Sequence, residues 1–107
     1  MAGEHGELGF PPPHPGAYLR ADILPALNMT IKDLAEHLGI ARASLSELLN
    51  EKRSVSLEMA QRLGRAFGNG TRFWLALQLQ YDVWHAERKP KFNVQPIRWE
   101  KGRSRVA

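Results

Sequence analysis

Cysteine is absent from all 107 residues, which excludes a disulfide frame and any thiolate metal site. The lack agrees with a reducing cytoplasm. Long apolar runs are also missing, and the opening "MAGEHGELGFPPPHPG" has neither a basic start nor an apolar centre. Neither a signal peptide nor a membrane-spanning helix is therefore expected. The four histidines, His5, His14, His37 and His85, are scattered, with no carboxylate at the spacing of a metal-binding helix. No glycine-rich loop is shaped to cradle a phosphate, and no nucleophile has a base and an orienting group fixed beside it. Together these absences predict no metal, no cofactor and no enzyme chemistry.

What is present suits one small domain with tails: 43% of residues are hydrophobic. The net charge of +4 is unevenly spread, with −2 over residues 1–15, +1 over 16–86 and +5 over 87–107. A basic balance favours polyanions in general. Most of this excess sits in the tail, however, so the partner of the core has to be read from particular residues.

Residues 1–13, with three glycines and the run Pro11-Pro12-Pro13, read as a flexible arm leading into extended polyproline-type chain. Over 14–89 the helical signals follow one another without an intervening strand pattern. In "HPGAYLRADIL", Pro15 suits a first helical turn, and Tyr18, Leu19 and Ile23 form a stripe before Pro25 stops the helix. In "TIKDLAEHLG", Thr30 is the expected N-cap with Asp33 three residues on. Leu34, Ala35 and Leu38 point inward there, and Gly39 closes the helix. A third helix spans about 41–51. Ser56 caps a fourth, with Met59, Ala60, Leu63, Ala66 and Phe67 inward and Gly68 at its end. Thr71 opens the fifth and longest, which runs to just before Pro90. The basic tail, 90–107, alternates briefly around Phe92, Val94 and Ile97, which admits a short edge strand or an extended arm. The expected architecture is all-α, with five helices joined by short connections.

The third helix poses the functional question. Advancing about 100° per residue, Arg42, Ala43, Ser46, Glu47 and Asn50 share one arc, while Ala41, Leu45, Leu48 and Leu49 share the opposite one. The leucines must pack inward. The outward face lacks the Lys/Glu pairing of an ordinary solvated helix. Only Ile40 separates it from Gly39 at the end of the preceding helix. Two helices joined through a short turn containing Gly, the second projecting short polar side chains, form the helix-turn-helix pattern. Such a face can meet base edges: Ala43 and Ser46 allow close approach, and Arg42 can take guanine bidentately. Asn50 or Ser46 can pair with adenine or phosphate, and Glu47 can accept from cytosine. Thr30 and Lys32, at the start of the second helix, and Lys52, Arg53 and Ser54, just past the third, are placed for phosphates. The competing reading is a solvated helix in a small bundle, in which the helix-turn-helix is only scaffold for protein contacts and touches no DNA.

Helix 5 is apolar on two sides. Phe73, Trp74, Leu77, Tyr81 and Trp84 lie on one, and Leu75, Leu79, Val83 and Ala86 lie nearly opposite. A helix of this kind is central in its domain or buries one side in a partner. A homodimer through Leu75, Leu79, Val83 and Ala86 would set two recognition helices ~34 Å apart, one turn of DNA. Alternatively the tail folds back, with Phe92, Val94, Ile97 and Trp99 covering the second stripe.

The stretch from "HPGAYLRADIL" through "LAEHLGIARASLSELLNEKR" to "TRFWLALQLQYD" resembles the HigA-type antitoxins, members of the XRE/Cro-repressor group of helix-turn-helix proteins. The likeness covers residues 14–86, and "HPG" with the helix 5 segment narrows it beyond the broad repressor group. It implies a labile partner that neutralises a RelE/HigB-like, ribosome-dependent mRNA-cleaving toxin by binding it. It also implies repression of the protein's own operon as a dimer on palindromic operator DNA; a stand-alone XRE-type repressor is the alternative. Base-reading positions of the family carry over onto Arg42, Ala43, Ser46 and Glu47, and phosphate-contacting positions onto Thr30, Lys32, Ser44, Asn50 and Lys52. Ala43 departs from the Gln or Arg that many repressors carry, and leaves only a methyl contact to a base. For the toxin, helix 1 and the arm are candidates, since Glu4, Glu7 and Asp22 could meet a basic ribonuclease.

Overall fold

The computed structural model describes residues 10–89 and 91–99. Among these, five helices and no strand are found. Helix α1 is continuous from Pro15 to Leu27, but in three pieces: α-helical over Pro15–Tyr18, π-helical over Leu19–Ile23 and α-helical again over Leu24–Leu27. Then follow α2 (Ile31–Leu38), α3 (Arg42–Leu49), α4 (Leu57–Phe67) and α5 (Thr71–Arg88).

Pro25 does not stop α1, contrary to the sequence expectation. A proline inside an α-helix lacks an N–H and drives its ring into the carbonyl four residues back. Here the turn before it is widened: the Leu24 N–H reaches Leu19 O, five residues away, so the ladder has already changed register when the ring arrives. The helix ends three residues later, at Asn28, which takes the left-handed conformation with φ 58°.

Local chemistry fixes the other ends. Thr30 Oγ1 accepts from the Asp33 N–H at 3.0 Å, and Asp33 Oδ2 accepts from the Thr30 N–H at 3.3 Å, so two orphan donors of α2 are satisfied reciprocally. Ser56 Oγ accepts from the Met59 N–H at 3.1 Å and opens α4. Gly39 takes φ 75°, and the following Ile40 N–H turns back to Ala35 O at 3.0 Å, closing α2 and starting the turn into α3.

The core is one cluster: Leu19 from α1, Leu34, Ala35 and Leu38 from α2, Leu45, Leu48 and Leu49 from α3. Val55, then Met59, Ala60 and Leu63 from α4, and Trp74 from α5 complete it. Each buried leucine contributes about 1.5–3 kcal/mol. Ala66 is exposed rather than inward, and the buried Gly64 occupies the close approach to the start of α5. Trp74 is fully buried and donates from Nε1 to Asn69 Oδ1 at 2.7 Å, so its polar end is satisfied in the turn between α4 and α5.

The tail forms no strand over 91–99 and does not fold back. Phe92, Val94 and Ile97 are 81%, 79% and 82% exposed, so the second stripe of α5 stays uncovered. The arm up to residue 9, with Glu4 and Glu7, lies outside the described residues.

Candidate nucleic-acid interface

The three leucines of α3 are buried, Leu45 and Leu48 completely, and this fixes the rotation of the helix. Arg42, Ala43, Glu47 and Asn50 are consequently exposed, with Ser44 and Ser46 half-buried at the edges. Thr30, Lys32, Lys52 and Arg53 are exposed as well. Of the positions expected to face a duplex, all but the half-buried Ser44 and Ser46 are exposed.

Several of these side chains are already engaged. Arg53 donates from Nε and Nη2 to Glu47 Oε1, at 3.0 and 2.7 Å. Asn50 Nδ2 donates to Ser46 O at 3.0 Å, which leaves its amide oxygen outward. Thr30 is held by its capping role. The side chains of Arg42, Lys32 and Lys52 make no hydrogen bond or ion pair among the described residues. No hydrogen bond joins Thr30 or Lys32 to α3 among those residues; the two groups share a turn, not a network.

Four residues outside the expected site hold it in place. Arg62 on α4 sends Nη1 to Leu38 O at 2.7 Å and Gly39 O at 3.3 Å, while Nε and Nη2 grip Glu58 at 3.2 and 2.8 Å. The guanidinium thus caps α2 and clamps the turn that aims α3. Arg20 on α1 donates from Nη1 to Leu49 O and from Nη2 to Glu51 Oε2 at 3.3 Å, closing the far end of α3. Glu51 adopts φ 61°, unusual for a residue with a side chain. Gln78 on α5 is buried, accepts from the Val55 N–H at 2.7 Å and donates to Asp82 at 3.0 Å, which anchors the loop after Arg53. None of the three was visible as a functional residue, because each acts on a backbone group distant in sequence.

The fourth is His14. It is buried, and its Nδ1 accepts from the Gly16 N–H at 2.8 Å as the N-cap of α1, while its ring stands edge-on to Tyr81 at 4.8 Å. Burial holds this imidazole below its ordinary value of 6.5, against the opposing pull of Glu51 and Asp82. Gly16 itself passes so near α3 that an added Cβ would lie 1.7 Å from Leu48 O. "HPG" is thus the point where α1 rests, backbone against backbone, on α3.

On α5, Trp74 faces the core, and Leu75 is half-buried against it. The uncovered part of the second stripe is Leu79, Val83 and Ala86, with Leu79 62% and Val83 42% exposed. No group of three or more His, Cys, Asp or Glu that could hold a metal ion is present among the described residues. No helix there is long and apolar enough to cross a membrane.

This geometry defines a helix-turn-helix protein, and residues 19–74 match the helix-turn-helix (HTH_3) family. The chain belongs to that family, of the XRE type, a group of DNA-binding regulators rather than enzymes. Among its relatives is virulence-associated protein A′ of Dichelobacter nodosus, 47% identical over 73 residues, covering 67% of this chain and 63% of the relative's length. The chain therefore spans somewhat less than two thirds of that relative. Among solved structures, antitoxin GraA superposes with a TM-score of 0.72 at 34% identity, over 76% of this chain and 87% of that one. Pseudomonas aeruginosa antitoxin HigA, solved with the higBA promoter, gives 0.69 at 29% identity, over 80% of this chain and 98% of that one. HigA and GraA antitoxins are thus among this chain's neighbours in structure, in line with the resemblance seen in the sequence.

Proposed function

We propose that this protein is an antitoxin that represses its own operon, reading operator DNA through the outward face of α3. The observation that carries the reading is the orientation of that helix. Leu45 and Leu48 are fully buried, so Arg42, Ala43 and Asn50 stand clear of the domain, and Arg42 is without a partner among the described residues. An unpaired guanidinium on a face of small side chains is suited to guanine O6 and N7. The P. aeruginosa HigA structure with its promoter supports the same use of the fold.

The uncovered apolar stripe supports dimerisation through Leu79, Val83 and Ala86, with Leu75 at the margin. A twofold axis there gives a palindromic operator two reading heads. The partner is a RelE/HigB-like toxin, and exposed Asp22 on α1 offers one acidic contact for a basic ribonuclease.

Two measurements test the reading. In gel-shift titration on the DNA upstream of the gene, Arg42→Ala costs about 1–3 kcal/mol of binding and relaxes preference at one base position. Unchanged affinity and selectivity would remove α3 from the groove. Co-expression with the adjacent reading frame should yield a stable complex that abolishes mRNA cleavage. If cleavage persists and no complex forms, the chain is a repressor without a toxin.

A further inference from the structure

Glu47 and Arg53 form a pair that neither the packing of the domain nor a simple reading of α3 explains. Both side chains are about half exposed, at 51% and 44%. An exposed ion pair adds little to stability, so folding is not its reason. On a surface turned toward phosphates, a lone carboxylate at Glu47 would also be repelled. Yet the pair is well formed: Nε and Nη2 of Arg53 both donate to one oxygen, Oε1, at 3.0 and 2.7 Å.

Resting on the DNA-binding reading above, we propose that Glu47 is a positioning residue that carries Arg53 from the loop onto the face of α3, where Arg53 reads a guanine. A guanidinium has five N–H donors in a rigid plane. Glu47 takes the edge formed by Nε and Nη2, which leaves the opposite edge, Nη1 with the second Nη2 hydrogen, free. That free edge has the two-donor spacing that matches guanine O6 and N7. Arg53 sits in the loop after α3, where an unrestrained arginine would reach outward to the sugar–phosphate backbone. Holding it to Glu47, on the second turn of the helix, turns it back toward the base-facing side. Lys52 beside it remains unpaired among the described residues and suits the phosphate. The site thereby has two arginine readers, Arg42 at the start of α3 and Arg53 beyond its end. Glu47 neutralises the cost of its own charge by aiming the second.

The test uses the full chain. The preferred duplex is selected from a random library with the wild-type protein, and single-base-pair variants of it are titrated against Glu47→Ala, Arg53→Ala, Arg53→Lys and the double Glu47→Ala/Arg53→Ala protein. Arg53→Ala should lower affinity about 5- to 150-fold and abolish preference at one G·C pair. Glu47→Ala should abolish preference at that same pair, and the double variant should lose no more than the worse single one. Arg53→Lys, which keeps the charge but not the planar edge, should also lose the preference. The proposal is overturned if Glu47→Ala relaxes a different base pair with additive losses, for Glu47 then reads DNA itself. It is overturned equally if Arg53→Ala weakens all duplexes alike and lowers the salt slope by about one, the behaviour of a phosphate contact. A wild-type chain that selects no duplex overturns the DNA-binding reading and this proposal with it. Retained melting temperatures in the exposed-site variants separate each result from misfolding.

Discussion

Adding one methyl group at Gly16 tests how α1 is seated on α3. Two effects compete. Alanine is the better helix former, which favours the variant by about 0.5–1 kcal/mol. Against this, the new Cβ would lie 1.7 Å from Leu48 O and 2.8 Å from Leu48 C, and real Cβ atoms essentially never approach within 3.0 Å. The obstructing atoms are backbone of α3, whose leucines are locked in the core, so no side chain can swing aside. Overpacking between two fixed elements costs about 1–3 kcal/mol or more. Lifting α1 away instead would expose Leu19, now fully buried, at about 1.5–3 kcal/mol. The steric effect wins, and Gly16→Ala should be net destabilising by about 2 kcal/mol. For a domain near 100 residues that lowers Tm by about 8–16 °C. Thermal unfolding followed by circular dichroism reads the shift. A variant that melts at or above the wild-type temperature would refute the backbone-on-backbone seat.

Removing the clamp at the turn is a second test: Arg62→Ala leaves Leu38 O and Gly39 O without their charged donor and should cost about 1.5–3 kcal/mol of unfolding free energy. Fast amide exchange at Gly39 to Ala41 alongside the loss would show that the turn itself has loosened, whereas unchanged protection there would mean the clamp is idle. Leu79→Asp places a charge in the uncovered stripe and should yield monomers in sedimentation, while an intact dimer would move the interface elsewhere. His14 predicts a pH dependence. Its Nδ1 must be unprotonated to cap Gly16, and burial depresses its value below 6.5, so the unfolded chain takes up the proton more readily. Stability is therefore fully present above pH 6.5 and falls as pH drops below it toward the depressed folded value. His14→Asn, which keeps a capping oxygen but does not titrate, should flatten that slope in denaturant melts between pH 7 and 5; an unchanged slope would assign it to other groups.

Much of the fold could be read from the chain because its determinants are local. Thr30 with Asp33, Gly39 and Ser56 are caps written in adjacent residues, and the leucines of α3 repeat at helical spacing. The outward placement of Arg42, Ala43 and Asn50 followed from that spacing alone. What escaped was non-local. The passage of α1 through Pro25 depends on a π turn whose register no propensity reveals. Ala66 has the right spacing to be inward on α4, but the close approach of Gly64 to Gly70 leaves it outside. Phe92, Val94 and Ile97 alternate as a strand would, yet over 91–99 the backbone has no partner strand to pair with. Glu47 looked like a lone acceptor because Arg53, six residues on, meets it only when the loop turns. Arg20, Arg62 and Gln78 carried no signal in the sequence, since the backbone groups they hold lie more than twenty residues away.

The most direct test of the account is amide chemical-shift mapping of the isotopically labelled chain as its selected duplex is added. The amides of Thr30 to Asp33 and of Ala41 to Arg53 should shift together and saturate at one stoichiometry. Shifts confined to α5 or the tail, with α3 unmoved, would contradict the claim that the polar side of α3 enters the groove.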